Sequence, residues 1–223
     1  MEPIFPLDKY SYTFPNPLDA SDEGLLAYGG DLHPNRIMTG YRNGIFPWFN
    51  EDDPILWWSP NPRFVLDIEK FKIPKSLNRT IKKQQLEIKY DTAFVQVMIE
   101  CANASRPDQD GTWIVPEMIE AYSELHSLGH AHSFEAWEDG VLVAGGYGVV
   151  VGDIFCGESM FTKVSDASKI AFVHLVQRLK CNGFKYIDSQ IYTDHLARFG
   201  AVHISRETYI SLVKEALFNP KDF

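Results

Sequence analysis

Two turn signals, Asp139-Gly140 and Gly152-Asp153, cut the stretch from 131 to 161 into three apolar runs. Such dipeptides between alternating apolar segments mark tight hairpins, so they constrain the fold more than any other feature of the chain. Ala131–Glu138, Val141–Val151 and Ile154–Phe161 are expected to form a three-stranded antiparallel meander. A helix should follow, capped by Asp166 and running to about Asn182, where Gly183 stops it. Tyr186-Ile-Asp-Ser-Gln190 reads as a further strand. A strand that returns to a sheet after a helix implies at least one parallel pairing. The fold class is α+β.

The third run, Phe155-Cys-Gly-Glu-Ser-Met-Phe161, places Glu158 among apolar and small residues. A buried carboxylate is costly unless it is hydrogen-bonded or paired. Asp188 and Gln190 lie two apart in their strand and are expected to point together into one cleft. A structural polar network is the commoner explanation for any single buried carboxylate. Two such strands in one domain favour a site.

Residues 1–62 are rich in turns and aromatics and read as a small N-terminal domain, with 63–223 as the larger unit. A short helix is expected from Pro34 to Asn43. Trp48, Trp57 and Trp58 fall in loop-like sequence, as core for a domain without long helices or as a stacking platform for bases. Arg63–Ile68 and Leu86–Tyr90 read as strands, with a basic helix near Pro74–Lys83 between them. Thr92–Ala102, Pro116–Leu128, Asp194–Arg198 and Ser205–Leu217 read as helices.

The length of 223 residues suits one large domain or two small ones. No apolar run reaches membrane-spanning length. The start, Met1-Glu-Pro-Ile-Phe-Pro, is unlike a secretion signal. Cys101, Cys156 and Cys181 are expected as reduced thiols in a cytoplasmic protein, with Cys156 a buried structural one. His126, His130 and His132 cluster, but without a fourth ligand or cysteine partner they predict backbone hydrogen bonds rather than a metal. The net charge of −9 argues against indiscriminate nucleic-acid binding. Yet Lys70, Lys72, Lys75, Arg79, Lys82 and Lys83 fall in a segment with no acidic residue. Such a run is most often a solvated helix face, and it can also attract polyanions locally.

The order of strands and helices resembles the acetyltransferase-like (GNAT-like) architecture. That fold usually binds acyl-CoA pyrophosphate on a glycine-bearing loop opening the helix. Here the loop is Thr162-Lys-Val-Ser-Asp-Ala-Ser-Lys169, with no glycine, so the acyl donor is not expected to be CoA.

Several longer segments match one family. They are Gly24-Leu-Leu-Ala-Tyr-Gly-Gly-Asp-Leu32, Gly44-Ile-Phe-Pro-Trp-Phe49, Pro54-Ile-Leu-Trp-Trp-Ser-Pro60, Gly111-Thr-Trp-Ile114, Leu128-Gly-His-Ala-His-Ser133, Phe155–Phe161 and Ile187-Asp-Ser-Gln190. With these the chain closely resembles the leucyl/phenylalanyl-tRNA–protein transferases. The resemblance implies an aminoacyltransferase that moves Leu or Phe, with Met as a further donor, from tRNA to the N-terminal Arg or Lys of a protein. The product is marked for degradation by the N-degron route. It implies no cofactor, and a monomer with no membrane association.

By the same resemblance Asp188, Gln190 and Glu158 are catalytic. Gln190 would orient the amine, Asp188 would hold Gln190 or take the proton, and Glu158 would orient. The aminoacyl pocket would comprise Gly146, Phe155, Gly157, Met160, Phe172, Leu179 and Ile187. Tyr41, Trp48, Trp113 and Tyr122 would meet the terminal adenosine. Lys75, Arg79, Lys82 and Lys83 would meet the acceptor-stem backbone, with tolerance of different tRNA bodies and strong salt dependence. Gly146 departs from the larger apolar residue expected there, and Phe172 from a leucine. A compensating swap of bulk from strand to helix is expected, with an altered Phe/Leu preference. Two other readings stay open at this point: an acyl-CoA transferase, and a non-catalytic tRNA- or degron-binding module.

Overall fold

The computed structural model describes residues 4–83, 85–104 and 112–223. Met1–Pro3 and Gly111 of the Gly-Thr-Trp-Ile segment lie outside the described residues. Strands β1 (Phe5–Leu7), β2 (Leu25–Gly29), β3 (Phe46–Pro47) and β4 (Leu56–Trp58) make a small sheet in the order β1-β2-β4-β3, with helix α1 (Pro34–Arg42) between β2 and β3. The second sheet uses β5 (Arg63–Asp67), β6 (Glu87–Tyr90), β7 (Ala131–Glu138), β8 (Val141–Val151), β9 (Ile154–Thr162), β10 (Tyr186–Asp188) and β11 (Val202–Ile204). Its order is β11-β5-β10-β9-β8-β7-β6. The remaining helices are α2 (Lys75–Ile81), α3 (Phe94–Ala102), α4 (Pro116–Ser127), α5 (Ala167–Cys181), α6 (Asp194–Ala197) and α7 (Arg206–Ala216).

The meander β7-β8-β9 forms as its turn signals require. Asp139 and Gly140 both take positive φ, the backbone of a tight hairpin turn. Gly152 closes the second hairpin against the end of α7, where a Cβ would lie 2.0 Å from the Ala216 carbonyl oxygen. No side chain fits there. The expected parallel pairing is β9 with β10, in register Tyr186–Ile154 to Asp188–Cys156. Element ends differ from the sequence expectation by a residue or two. One cap differs in kind. Asp166 sits at φ 62 and makes no side-chain cap, because Lys169 takes its carboxylate at 2.5 Å.

Alternation along the strands gives the large sheet two apolar faces. One carries Phe64, Leu66, Phe134, Phe155 and Ile187 and packs on α5. The other carries Val65, Tyr147, Val149 and Cys156 and shares one core with α1, α3, α4, α7 and the small sheet. Trp57 lies in that core with its indole nitrogen donating to the Gly29 carbonyl, so part of the aromatic-rich segment is packing.

A buried ion pair ties these parts together. Arg63, 1% exposed, opens β5, and Asp188, 0% exposed, closes β10. Arg63 Nε and Nη2 donate to the two Asp188 oxygens at 2.9 and 2.7 Å. Its Nη1 donates to the Gly44 carbonyl at 3.1 Å, and its plane lies over the Tyr209 ring of α7. Burial opposes the Arg63 charge, but the Asp188 carboxylate overcomes that and holds the guanidinium above its ordinary range. Removing one partner of such a pair strands the other charge. Asp188→Asn is therefore expected to lower the free energy of unfolding by about 3–5 kcal/mol. Equilibrium denaturation measures this, and an unchanged midpoint would mean the pair carries no stability.

Candidate active site

The site forms where two paired strands part. β9 and β10 run together only as far as Cys156 and Asp188. β9 continues to Thr162 along β8, while β10 ends and the chain turns away. The gap is walled by Gly157, Glu158 and Met160 on one side and by Ser189 and Gln190 on the other. It opens into a cavity of about 410 Å³. Its floor is apolar, with Phe134, Phe155, Phe172, Leu175 and Ile187. Phe46, Pro47, Trp48 and Trp113 form the opposite wall.

Local backbone irregularities aim both polar residues. The β8–β9 register shifts between Tyr147, opposite Ser159, and Gly148, opposite Gly157. Glu158 is the extra residue of this bulge, and a bulge re-aims the side chain it carries. Gly148 permits the close approach, because a Cβ there would lie 2.4 Å from the Cys156 carbonyl oxygen. Gln190 takes φ 60, so simple alternation from Asp188 does not hold. Gln190 lines the cavity and Asp188 does not.

The expectation that Asp188 and Gln190 share a cleft is thus corrected. Asp188 faces the interior, where Arg63 and the Tyr209 hydroxyl (2.8 Å) hold its oxygens. It also accepts the Gln190 backbone N–H at 2.9 Å, which fixes the turn that presents the Gln190 side chain. The Gln190 amide nitrogen donates to Glu158 Oε1 at 2.9 Å. Its carbonyl oxygen is then the acceptor left for a ligand.

Beneath Glu158 lie Tyr41 and Tyr122, both buried, with hydroxyl oxygens 2.6 Å apart. Tyr41 also hydrogen-bonds the Glu158 carboxyl. Neither tyrosine lines the cavity, so their expected contact with an adenosine is replaced by support of Glu158. Burial drives the Glu158 carboxyl up to about 8; the Tyr41 hydrogen bond opposes this, and the nearby Asp188 charge adds to it. Burial likewise raises the Tyr41, Tyr122 and Tyr209 hydroxyls and the Cys156 thiol.

Of the expected pocket residues, Phe155, Gly157, Met160, Phe172 and Ile187 line the cavity. Gly146 and Leu179 do not. A Cβ at Gly146 would lie 2.6 Å from both Met160 Cγ and the Phe134 ring. Phe134 and Met160 therefore occupy that space. Trp48 and Trp113 both line the cavity, Trp48 at 39% exposure. Lys75 and Arg79 on α2 and Lys82 and Lys83 just after it are exposed, away from the cavity wall. His126 and His132 bond the Ala131 carbonyl and Asp91, each at 2.8 Å. Sequence reasoning missed Arg63 and Tyr209. An arginine opening an otherwise apolar strand, Arg63-Phe-Val-Leu66, was the available signal.

The family described as leucyl/phenylalanyl-tRNA protein transferase matches residues 65–214, and its N-terminal domain matches 30–61. The chain belongs to this family. Leucyl/phenylalanyl-tRNA–protein transferases of Hydrogenovibrio crunogenus and Sulfurimonas denitrificans are 55% and 50% identical to it. The first alignment covers 100% of this chain and 88% of that protein, the second 95% and 92%. That of Chromobacterium violaceum is 50% identical, covering 99% and 91%. Among solved structures, L-PGS from Bacillus licheniformis aligns at a TM-score of 0.41 and 13% identity, over 77% of this chain and 57% of that one. That likeness is too distant to assign a fold family.

The Glu158 ionisation is linked to folding. Between about 4.5, the ordinary glutamate value, and about 8, the folded protein keeps a proton that the unfolded chain releases. Stability therefore falls as pH rises through this window. Glu158→Gln removes that dependence, so the variant should gain on the wild type in Tm from the acid to the alkaline end. A constant difference across the window would show that Glu158 does not titrate there.

Proposed function

We infer that the chain transfers Leu or Phe, with Met as a further donor, from aminoacyl-tRNA to the N-terminal Arg or Lys of acceptor proteins. The modified proteins would enter the N-degron route of degradation. Family membership makes it an aminoacyl-tRNA-dependent protein transferase. The observation that carries the chemistry is the Glu158–Gln190 pair beside an apolar cavity.

The donor is an activated ester, and the nucleophile is an α-amine with a reference pKa near ~8. Transfer needs the amine placed against the ester carbonyl and one proton removed. In this reading Gln190 accepts a hydrogen bond from the amine through its carbonyl oxygen. Glu158, poised near 8, acts in its ionised form and takes the proton that the neutral amine sheds as it attacks. The nitrogen lone pair forms the new amide bond, the C–O ester bond breaks, and the ribose oxygen leaves with the proton that Glu158 received. Asp188 acts through Gln190, whose turn it fixes, and its full burial argues against a role as base. The Leu or Phe side chain would fill the apolar floor, and Trp48 and Trp113 would hold the terminal adenine. Lys75, Arg79, Lys82 and Lys83 would hold the acceptor stem.

This reading takes 1–62 as the N-terminal domain and 63–223 as a GNAT-like catalytic domain. The parting of parallel strands β9 and β10 after a meander and a long helix supports it. No glycine opens α5, and Asp166 stands at its start, which suits an aminoacyl-tRNA donor better than acyl-CoA. Among the described residues no helix is long and apolar enough to cross a membrane. The reading adds a monomer working in the cytoplasm without a cofactor.

Labelled Leu and Phe on charged tRNA should pass to a peptide beginning with Arg and not to one beginning with Ala. Absence of transfer with folded protein and intact donor would favour a tRNA- or degron-binding module. In the same assay, the acid limb of log kcat/KM against pH should have a slope near two, one unit each for the amine and Glu158. Glu158→Gln should reduce that slope to about one. A variant that kept the steeper slope would remove Glu158 from the proton transfer.

A further inference from the structure

A second cavity, of about 300 Å³, lies between α2, the start of α5 and α6. Ser76 and Thr80 face it from α2, Lys169 from α5, and Asp194 and Arg198 from α6 and its C-terminal end. His195 lines both this cavity and the aminoacyl cavity, so one side chain separates them. The charges of Lys169 and Arg198 both act on the His195 ring, which burial and these cations hold neutral with a pKa near 4.

The charges around this second cavity are unequally committed. Lys169 is paired with Asp166 at 2.5 Å. Asp194 accepts the Tyr192 hydroxyl at 2.7 Å. The Arg198 side chain is exposed and makes no hydrogen bond or ion pair to any described residue, while its backbone N–H donates to the Asp194 carbonyl. The side chains of Lys75 and Arg79 on α2 and of Lys82 and Lys83 just after it are equally free among the described residues. The second cavity therefore lies between α2 and, through His195, the aminoacyl cavity, and Arg198 stands on it as a cation that the fold leaves uncommitted among the described residues.

We propose that Arg198 holds a backbone phosphate of the unpaired 3′ end of the donor tRNA, between the stem on α2 and the aminoacyl cavity. The inference rests on the functional reading above. A strand whose terminal aminoacyl group lies in the first cavity and whose stem lies on α2 has to cross the surface between them. A guanidinium not used by the fold binds phosphate through its planar fork of donors. The contact recognises phosphate and not base, so it adds affinity without sequence preference.

Three donors test this: charged tRNA, a short aminoacylated oligonucleotide that keeps the unpaired 3′ phosphates, and an aminoacyl-adenosine with none. Arg198→Gln should lower kcat/KM on the first two by about two- to fivefold, the size of one exposed charge contact. It should leave the third unchanged. On the oligonucleotide, the slope of log kcat/KM against log salt should become shallower by about 0.7. Arg79→Gln should affect charged tRNA alone, and Arg198→Lys, which keeps the charge and loses the planar fork, should restore part of the loss. An Arg198→Gln enzyme unaffected on the oligonucleotide, or equally impaired on aminoacyl-adenosine, overturns the proposal while leaving the transferase reading intact. A wild type inactive on all three donors overturns both.

Discussion

The bidentate pair between Arg63 and Asp188 is the interaction on which the rest of the site depends. Desolvating two charges is costly, and the cost is offset only when every polar atom around them finds a partner. Here the carboxylate receives four donors: two from Arg63, the Tyr209 hydroxyl and the Gln190 backbone. The guanidinium adds the Gly44 carbonyl and lies over the rings of Phe46 and Tyr209. Those partners come from the N-terminal segment, the sheet, helix α7 and the active-site turn. A hydrophobic pair could stabilise the core as well, but it could not fix the Gln190 turn relative to the N-terminal wall of the cavity.

Asp188 and Glu158 are two neighbouring carboxyls set in different environments. Such pairs separate roles by environment. Asp188 is fully partnered and inside. Glu158 faces the cavity with Tyr41 and Gln190 as its partners, and burial together with the Asp188 charge keeps its proton on until about pH 8. The electrostatic cost of one group tunes the other. Gln190 bridges them, its backbone on Asp188 and its side chain on Glu158. Geometry and proton affinity at the site are therefore coupled through one residue.

The parts of this arrangement legible in the sequence are those governed by local rules. The meander followed from Asp139-Gly140 and Gly152-Asp153, and helix ends from Pro34, Pro116 and Gly183. Strand alternation failed where the backbone leaves its regular path. The bulge at Glu158 and the positive φ of Gln190 have no marker in residue type, since glutamate and glutamine do not announce either. The partner of Asp188 lies 125 residues away, beyond any periodicity argument. Tyr41 and Tyr122 were associated with the site by resemblance, yet their place beneath Glu158 depends on packing between α1 and α4. Gly146 shows the same limit: a small residue signals space, and only the packing shows Phe134 and Met160 filling it.

The charge distribution completes the argument. A chain of net charge −9 repels a polyanion at long range, but that field is screened beyond about 10 Å at moderate salt. Within that distance the local sign decides. On α2, Leu77 packs inward while the cationic side chains stay in water. The acidic residues nearest Arg198 are occupied by Tyr192 and Lys169. Lys169 offsets the Asp166 charge, while Asp194 is held by the Tyr192 hydroxyl rather than by Arg198, so the guanidinium keeps its donors for phosphate. The same acidic excess elsewhere suits an acceptor whose first residue is a cation.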